Sequence, residues 1–221
     1  MPEIADTASS KRVLEPAPRL AEALFGLIIV LSFTGFFSVA DGGRSGIRKM
    51  LLSALGCNLV WGLIDGSMYL LGCLAEKSRN LEALRAVRKS TDPDKGQRLV
   101  AKALPPLVAS LLKPEELESL RLRLCQLPEP PAHPRLHLND WVGGIGVVAL
   151  VFLCTFPVAI PFLLMQNALA ALRFSNGIAL LLLFLTGYAF GHCTRFRPWT
   201  TGLVMVVVGA VLVSVIMVLG G

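Results

Sequence analysis

Apolar positions in this chain come in long unbroken runs separated by polar segments. The runs cover residues 23–40, 50–74, 141–165, 176–191 and 200–221. A bilayer core of roughly 30 Å needs about 20 apolar helical residues, so each run is of suitable length to span it. None alternates with period two, which predicts helices and not the strands of a β-barrel. The glycine-rich DGGRSG at 41–46 predicts a turn, pairing the first two spans as an antiparallel hairpin.

The long polar stretch has helical structure of its own. Leu81, Leu84 and Val87 continue the helical spacing of the second run beyond its apolar part. Thr91-Asp92-Pro93 ends that helix, because proline disfavours helix in the residue before it. An amphipathic segment follows, broken at Pro105-Pro106. Pro114-Glu115-Glu116 then opens a helix with an apolar stripe of Leu117, Leu120, Leu124 and Leu127. The proline-rich PEPPAHP at 128–134 leads back to Trp141, an interfacial anchor. The expected fold is all-α: a polytopic membrane protein with five transmembrane helices and a small cytosolic helical insert between helices two and three. Its parts are a flexible cytosolic tail (1–19), a transmembrane hairpin (20–75), the insert (76–140) and transmembrane helices three to five (141–221).

Composition agrees, since 54% of the 221 residues are hydrophobic and only 16% charged, against about 25% charged in ordinary soluble domains. The position of the charges sets an orientation. With five spans, the tail, the insert and the 192–199 loop share one face and hold 17 of the 21 Lys and Arg. The positive-inside rule makes that face cytoplasmic and puts the C-terminus on the opposite side. Arg44, Arg48 and Lys49 pull the other way. The first run exceeds a usual signal-peptide core and follows Glu3, Asp6 and Glu15, so it is read as a retained span.

Several function classes drop out. Topology accounts for the net charge of +6, and no basic groove interleaved with aromatics suggests nucleic acid. The five cysteines form no CxxC pair and read as small apolar residues. With no nucleophile beside a base and no phosphate-cradling glycine loop, the chain does not read as an enzyme and implies no cofactor.

One residue breaks the apolar pattern. Asp65 lies near the middle of the second run, where a charged side chain costs about 2.5 to 3.5 kcal/mol on insertion scales. At about 100° per residue, Asn58, Trp61, Gly62, Met68, Tyr69, Gly72 and Glu76 fall within roughly 60° of it. Leu59, Leu63, Leu70 and Leu74 lie on the other side. Carboxylates, an amide, a phenol and a thioether along one helix face make a donor set for a divalent cation, with the sulfur softening the preference toward iron or copper. In the third run Pro157 and Pro161 sit one turn apart, which predicts a kinked or discontinuous helix. Gly202 and Gly209 share a face of the fifth, as close helix packing requires.

The order of these features, with Ser67-Met68 in the second span, PVAIP at 157–161, LTGY at 185–188 and TGLVMVVVGAVLVSV at 201–215, resembles the vacuolar iron transporter family. The resemblance runs from about Phe25 onward. It implies a homodimer that exports ferrous iron or a related divalent metal from the cytosol in exchange for protons. Met68 matches the family's second-span methionine. The family's following Gly-Glu is here Gly72-Cys73, displaced by one residue, and its first-span aspartate has no counterpart between Glu22 and Asp41. The family collects metal on clustered glutamates in the insert. Here the 75–140 loop holds 12 basic and 9 acidic residues, and Glu115, Glu116 and Glu118, grouped at a helix start, read as caps. His133 and His137 are separated by Pro134, which argues against a helical metal pair.

The expected function is transport of a divalent metal cation, iron or manganese, out of the cytosol with protons as counter-ion. Asp65, Met68 and Glu76 are the expected metal ligands; Asn58, Tyr69, Pro157 and Pro161 are expected to line the path. The expected partners are the lipid bilayer, a second copy of the chain and the metal ion. The alternatives are a non-transporting membrane scaffold whose cytosolic helices bind a partner, and transport of another solute.

Overall fold

A computed structural model describes residues 16–36 and 43–220, and the described residues are helical with no strand. The helices are α1 (Pro16–Phe36), α2 (Gly43–Lys89), α3 (Pro93–Ala103), α4 (Pro106–Leu111), α5 (Pro114–Gln126), α6 (Leu138–Leu153), α7 (Thr155–Leu164), α8 (Ala168–Cys193) and α9 (Pro198–Gly220). Three stretches are long and apolar enough to cross a membrane: residues 46–89 in α2, 138–164 across α6 and α7, and 169–193 in α8. The chain is therefore a multi-pass membrane protein by length and composition. Shorter apolar helices cover Leu20–Leu31 and Pro198–Leu212.

Most of the expected tail, residues 1–15, lies outside the described residues, as does part of the expected turn at 41–46. Residues 16–19, assigned to the tail above, are the first turn of α1, whose fixed-φ proline suits a helix start. Gly43 to Gly46, read as turn, are likewise helical at the start of α2.

Two compact units divide the chain, one of them Leu70–Leu138. Its boundaries fall six residues before and two before those expected for the insert, inside α2 and at the start of α6. In this unit α2 continues in helical form to Lys89, as its apolar spacing predicts. Asp92 caps α3, accepting from the Asp94 amide at 3.0 Å. Val100 is buried, and α3 packs on α5 with Gly96 against the Arg121 stem. Glu118 accepts from Arg121 Nε at 2.9 Å, from Arg121 Nη2 at 2.6 Å and from Gln97 Nε2 at 3.1 Å, and so joins the two helices. Glu116 accepts from the Lys113 amide at 2.8 Å, so it acts as a cap. Residues 128–137 are not helical, and no helical His133 and His137 pair forms.

The other described helices form a bundle around α8, which packs on α1, α7 and α9. Leu24, Leu27, Val30 and Leu31 of α1, Val158 of α7, and Ala179 and Leu183 of α8 make its main core. Met50, Phe162 and Ala171 make a smaller one. At α8 and α9 a Cβ on Gly202 would stand 2.8 Å from Phe184 Cε2, so the absence of a side chain there permits the approach the sequence anticipated. Arg195, at φ 60°, turns the chain from α8 into α9, and Tyr188 meets Trp199 edge-on with centroids 5.6 Å apart.

The third apolar run breaks once, at Cys154, three residues before the first proline. Pro157 has no N–H for the Leu153 carbonyl and its ring crowds that oxygen, so the helix must deviate one turn upstream of the ring. Restarting at Thr155 leaves Pro157 in the first turn of α7, where a missing N–H removes no intrahelical bond. Pro161 lies inside α7 and is buried.

Candidate functional site

The geometry around Asp65 begins with the glycines of α2. Asn58, Gly62 and Gly66 recur every four residues and are all buried, forming one ridge along the helix. A Cβ on Gly62 would stand 3.0 Å from the Val148 carbonyl oxygen, and one on Gly66 would stand 2.7 Å from Val148 Cγ2 and 3.0 Å from the Gly144 carbonyl oxygen. Backbone therefore packs on backbone between α2 and α6. The Tyr69 ring lies over Gly143, and Asp140, in the first turn of α6, is fully buried.

This seam fixes the aspect of the acid. Asp65 is adjacent to Gly66 in sequence and so about 100° around the helix from the contact line; it is half-buried. Met68 is 63% exposed and Trp61 37%. Leu59 and Leu63, on the side of the helix opposite that stripe, are 42% and 53% exposed. Within the stripe read from the sequence, Asn58 and Gly62 are buried on the ridge they share with Gly66, Trp61 and Met68 form an exposed flank, and Asp65 lies between them. Glu76 falls in the 70–138 unit. Among the described residues no group of three or more His, Cys, Asp or Glu is placed to hold a metal.

Asn58 makes the second part of the site. Its Nδ2 donates to Thr155 Oγ1 at 2.5 Å and to the Gly26 carbonyl at 3.3 Å. Asn58 is fully buried and its Oδ1 meets no partner among the described residues. Thr155 is the first residue of α7, directly after the break. A Cβ on Gly26 would reach Cys154 Sγ at 2.5 Å and the Val151 carbonyl at 3.2 Å, so α1 crosses the broken helix at its discontinuity. One turn on, Ser175 of α8 donates to the Val158 carbonyl at 2.7 Å. Side chains of α2 and α8 and the Gly26 carbonyl of α1 thereby meet where the third apolar run is interrupted.

The structure brings Asn58 to the proline-broken segment, two residues from Pro157. Met68, 63% exposed, lies apart from the buried Asn58. Sequence reading missed Thr155, Gly26, Ser175 and Asp140. Thr155 carried a signal, a hydroxyl two residues before a proline inside an apolar run, and so did Gly26, a glycine within the apolar part of α1. Ser175 had none that separates it from a solvated serine at a span end.

A search of curated proteins returned no match. The sequence profile of the VIT family, the vacuolar iron transporters, does match, over residues 92–221. Those residues hold the proline-broken third apolar run, the small-residue α8 and α9 pair and most of the 70–138 unit. They are more than half of the chain, which therefore belongs to the VIT family, a family of membrane metal-ion transporters.

Proposed function

We propose that the chain moves a divalent metal cation, iron or manganese, out of the cytosol, with protons as counter-ion. The observation that carries this reading is Asp65, a half-buried carboxylate within an apolar helix, beside a glycine seam that packs its helix closely on α6. An intramembrane acid is retained against its insertion cost when it serves a path or a relay. A carboxylate oxygen is a hard ligand and Met68, one turn away, a soft one. Asp65 would bind the metal with Met68 and take up a proton when the metal leaves.

The architecture in this reading is five spans. At about 1.5 Å per residue, α1 and α9 are roughly 31 and 35 Å long, enough to cross beside the three longer spans. The 70–138 unit and the N-terminus are cytoplasmic and the C-terminus opposite, as the basic residues indicate. A second copy of the chain covers the exposed Met68 and Trp61 flank, so the metal would pass along a face each subunit leaves open. Pro157 and Pro161 interrupt the neighbouring helix, Asn58 tethers the interruption, and Tyr69 and Glu76 line the cytosolic approach.

A scaffold on the same fold is the second reading. It is favoured by Glu116 and Glu118, whose carboxylates are engaged as a helix cap and in the Arg121 and Gln97 contacts. Reconstituted vesicles separate the two. Transport predicts ferrous or manganous uptake lost in Asp65→Asn at unchanged expression; the scaffold predicts equal, negligible flux in both proteins. Failure of ferrous, manganous and zinc ions alike to raise the melting temperature of the purified protein would oppose the metal reading.

A further inference from the structure

The 70–138 unit contains a cationic cleft that the transport reading does not use. It has a volume of about 630 Å³ and is lined by Arg85, Arg88 and Lys89 of α2 and by Glu129, Pro130 and Ala132 of the returning proline-rich segment. The two walls are joined by guanidinium groups. Arg85 Nη2 donates to the Pro131 carbonyl at 2.5 Å and the Ala132 carbonyl at 2.7 Å; Arg88 Nη1 donates to the Pro128 carbonyl at 3.0 Å. Lys77 Nζ extends the row to the Arg135 carbonyl at 3.2 Å. The sequence explains this pairing. Pro128, Pro130 and Pro131 have no N–H, so that stretch of chain presents mainly acceptors, and a row of cations on one helix supplies the donors.

The carbonyls are neutral, so they position the guanidiniums without cancelling their charge. Among the described residues Arg85, Arg88 and Lys89 form no ion pair. The end of α2 offsets about half a charge, and Glu129 offsets one more, which leaves a positive excess in the cleft. Each arginine has five N–H donors; Arg85 keeps three and Arg88 four for a further acceptor. Their rotamers are already held, so little entropy is lost when an oxyanion docks against them. The volume exceeds that of a single phosphate, and no aromatic ring lines the cleft to stack on a nucleobase.

We infer that this cleft binds a compact multivalent phosphate anion, supplied either by a lipid headgroup or by a soluble polyphosphate, through Arg85, Arg88 and Lys89. The site is independent of Asp65 and of the transported ion.

The full chain in phosphatidylcholine nanodiscs, titrated with pyrophosphate by calorimetry, tests the soluble source. The same chain in discs containing phosphatidylinositol bisphosphate, with pyrophosphate as competitor, tests the lipid. The informative variants leave the fold alone: Lys89 makes no side-chain hydrogen bond among the described residues, and Arg88→Gln keeps an amide donor for the Pro128 carbonyl. Arg88→Gln with Lys89→Gln is expected to weaken binding about tenfold or more, and Glu129→Gln to tighten it severalfold. Saturable binding in either arm that follows this order and falls with salt supports the site. No saturable binding in either arm, or equal binding by the wild type and these variants, overturns it.

Discussion

Asn58 of α2 donates to Thr155 of α7 at 2.5 Å across 97 residues of sequence, at the point where the third apolar run loses its helical continuity. A helix interrupted by proline gives up backbone hydrogen bonds that lipid cannot replace, so interruptions persist where protein surrounds them. The Asn58 amide, the Gly26 backbone and the Ser175 hydroxyl provide that surround.

Thr155→Val removes the hydroxyl with little change in volume and leaves the Asn58 amide with its longer contact only. A destabilisation of about 0.5 to 2 kcal/mol is expected. Asn58→Leu should cost more, because it adds bulk and leaves the Thr155 hydroxyl buried. A double-mutant cycle by thermal melting in nanodiscs should give a coupling energy of at least about 0.5 kcal/mol; additive effects would mean the bond contributes nothing measurable.

The seam between α2 and α6 makes a graded prediction. Gly66→Ala places a methyl 2.7 Å from Val148 Cγ2 and 3.0 Å from the Gly144 carbonyl. It should destabilise by about 1 to 3 kcal/mol. Adding Val148→Ala relieves the side-chain clash and not the backbone one, so rescue should be partial. Gly56→Ala, on the same helix with nothing within 4 Å, is the control. It should be neutral or stabilising by up to about 1 kcal/mol, as thermal denaturation will report.

Proximity to that seam should also govern metal handling. Asp65→Glu keeps the charge but extends the carboxylate by a methylene beside a closely packed helix contact. Flux in proteoliposomes is expected to fall about tenfold or more, with partial retention relative to Asp65→Asn. Met68→Leu keeps the volume and removes the sulfur, so ferrous flux should fall more than manganous flux. Equal losses for both ions would remove Met68 from the ligand set.

The α3 and α5 contact should weaken in acid. Side-chain hydrogen bonds from Arg121, and then from Gln97, hold the Glu118 carboxyl down at about 2, from an ordinary 4.5. A depressed folded value stabilises above the unfolded value and is lost as pH falls. The contact is therefore at full strength above about pH 5 and declines from there toward pH 2. The protection of α3 and α5 amides against hydrogen exchange, taken relative to the intrinsic rate at each pH, should fall over that window in the wild type. In Glu118→Gln that fall should be absent, with lower protection already present at neutral pH.

How much of this was legible beforehand differs by element. The continuation of α2 to Lys89, its end before Pro93, the capping role of Glu116 and the use of Gly202 at a helix contact all rest on interactions within a few residues or on a single helical period. Such features can be read from one strand of text. The discontinuity was expected from Pro157 and Pro161, but its location at Cys154 follows from ring contact with the preceding turn, which the helix accommodates upstream. The division of the Asp65 face into buried ridge and exposed flank was not legible, because a helical wheel shows which residues share a side and not which neighbour approaches it.

The sequence by itself determined that the chain is all-α and membrane-embedded and that one carboxylate is placed among apolar residues, since hydropathy and helical period act through local composition. Only the tertiary structure decided that Gly62 and Gly66 meet α6, that Asn58 reaches Thr155, and that Arg85 and Arg88 clamp the proline-rich return. Those contacts join positions 40 or more residues apart, and their selection depends on which surfaces fit when the helices pack, a property of shape that no single segment encodes.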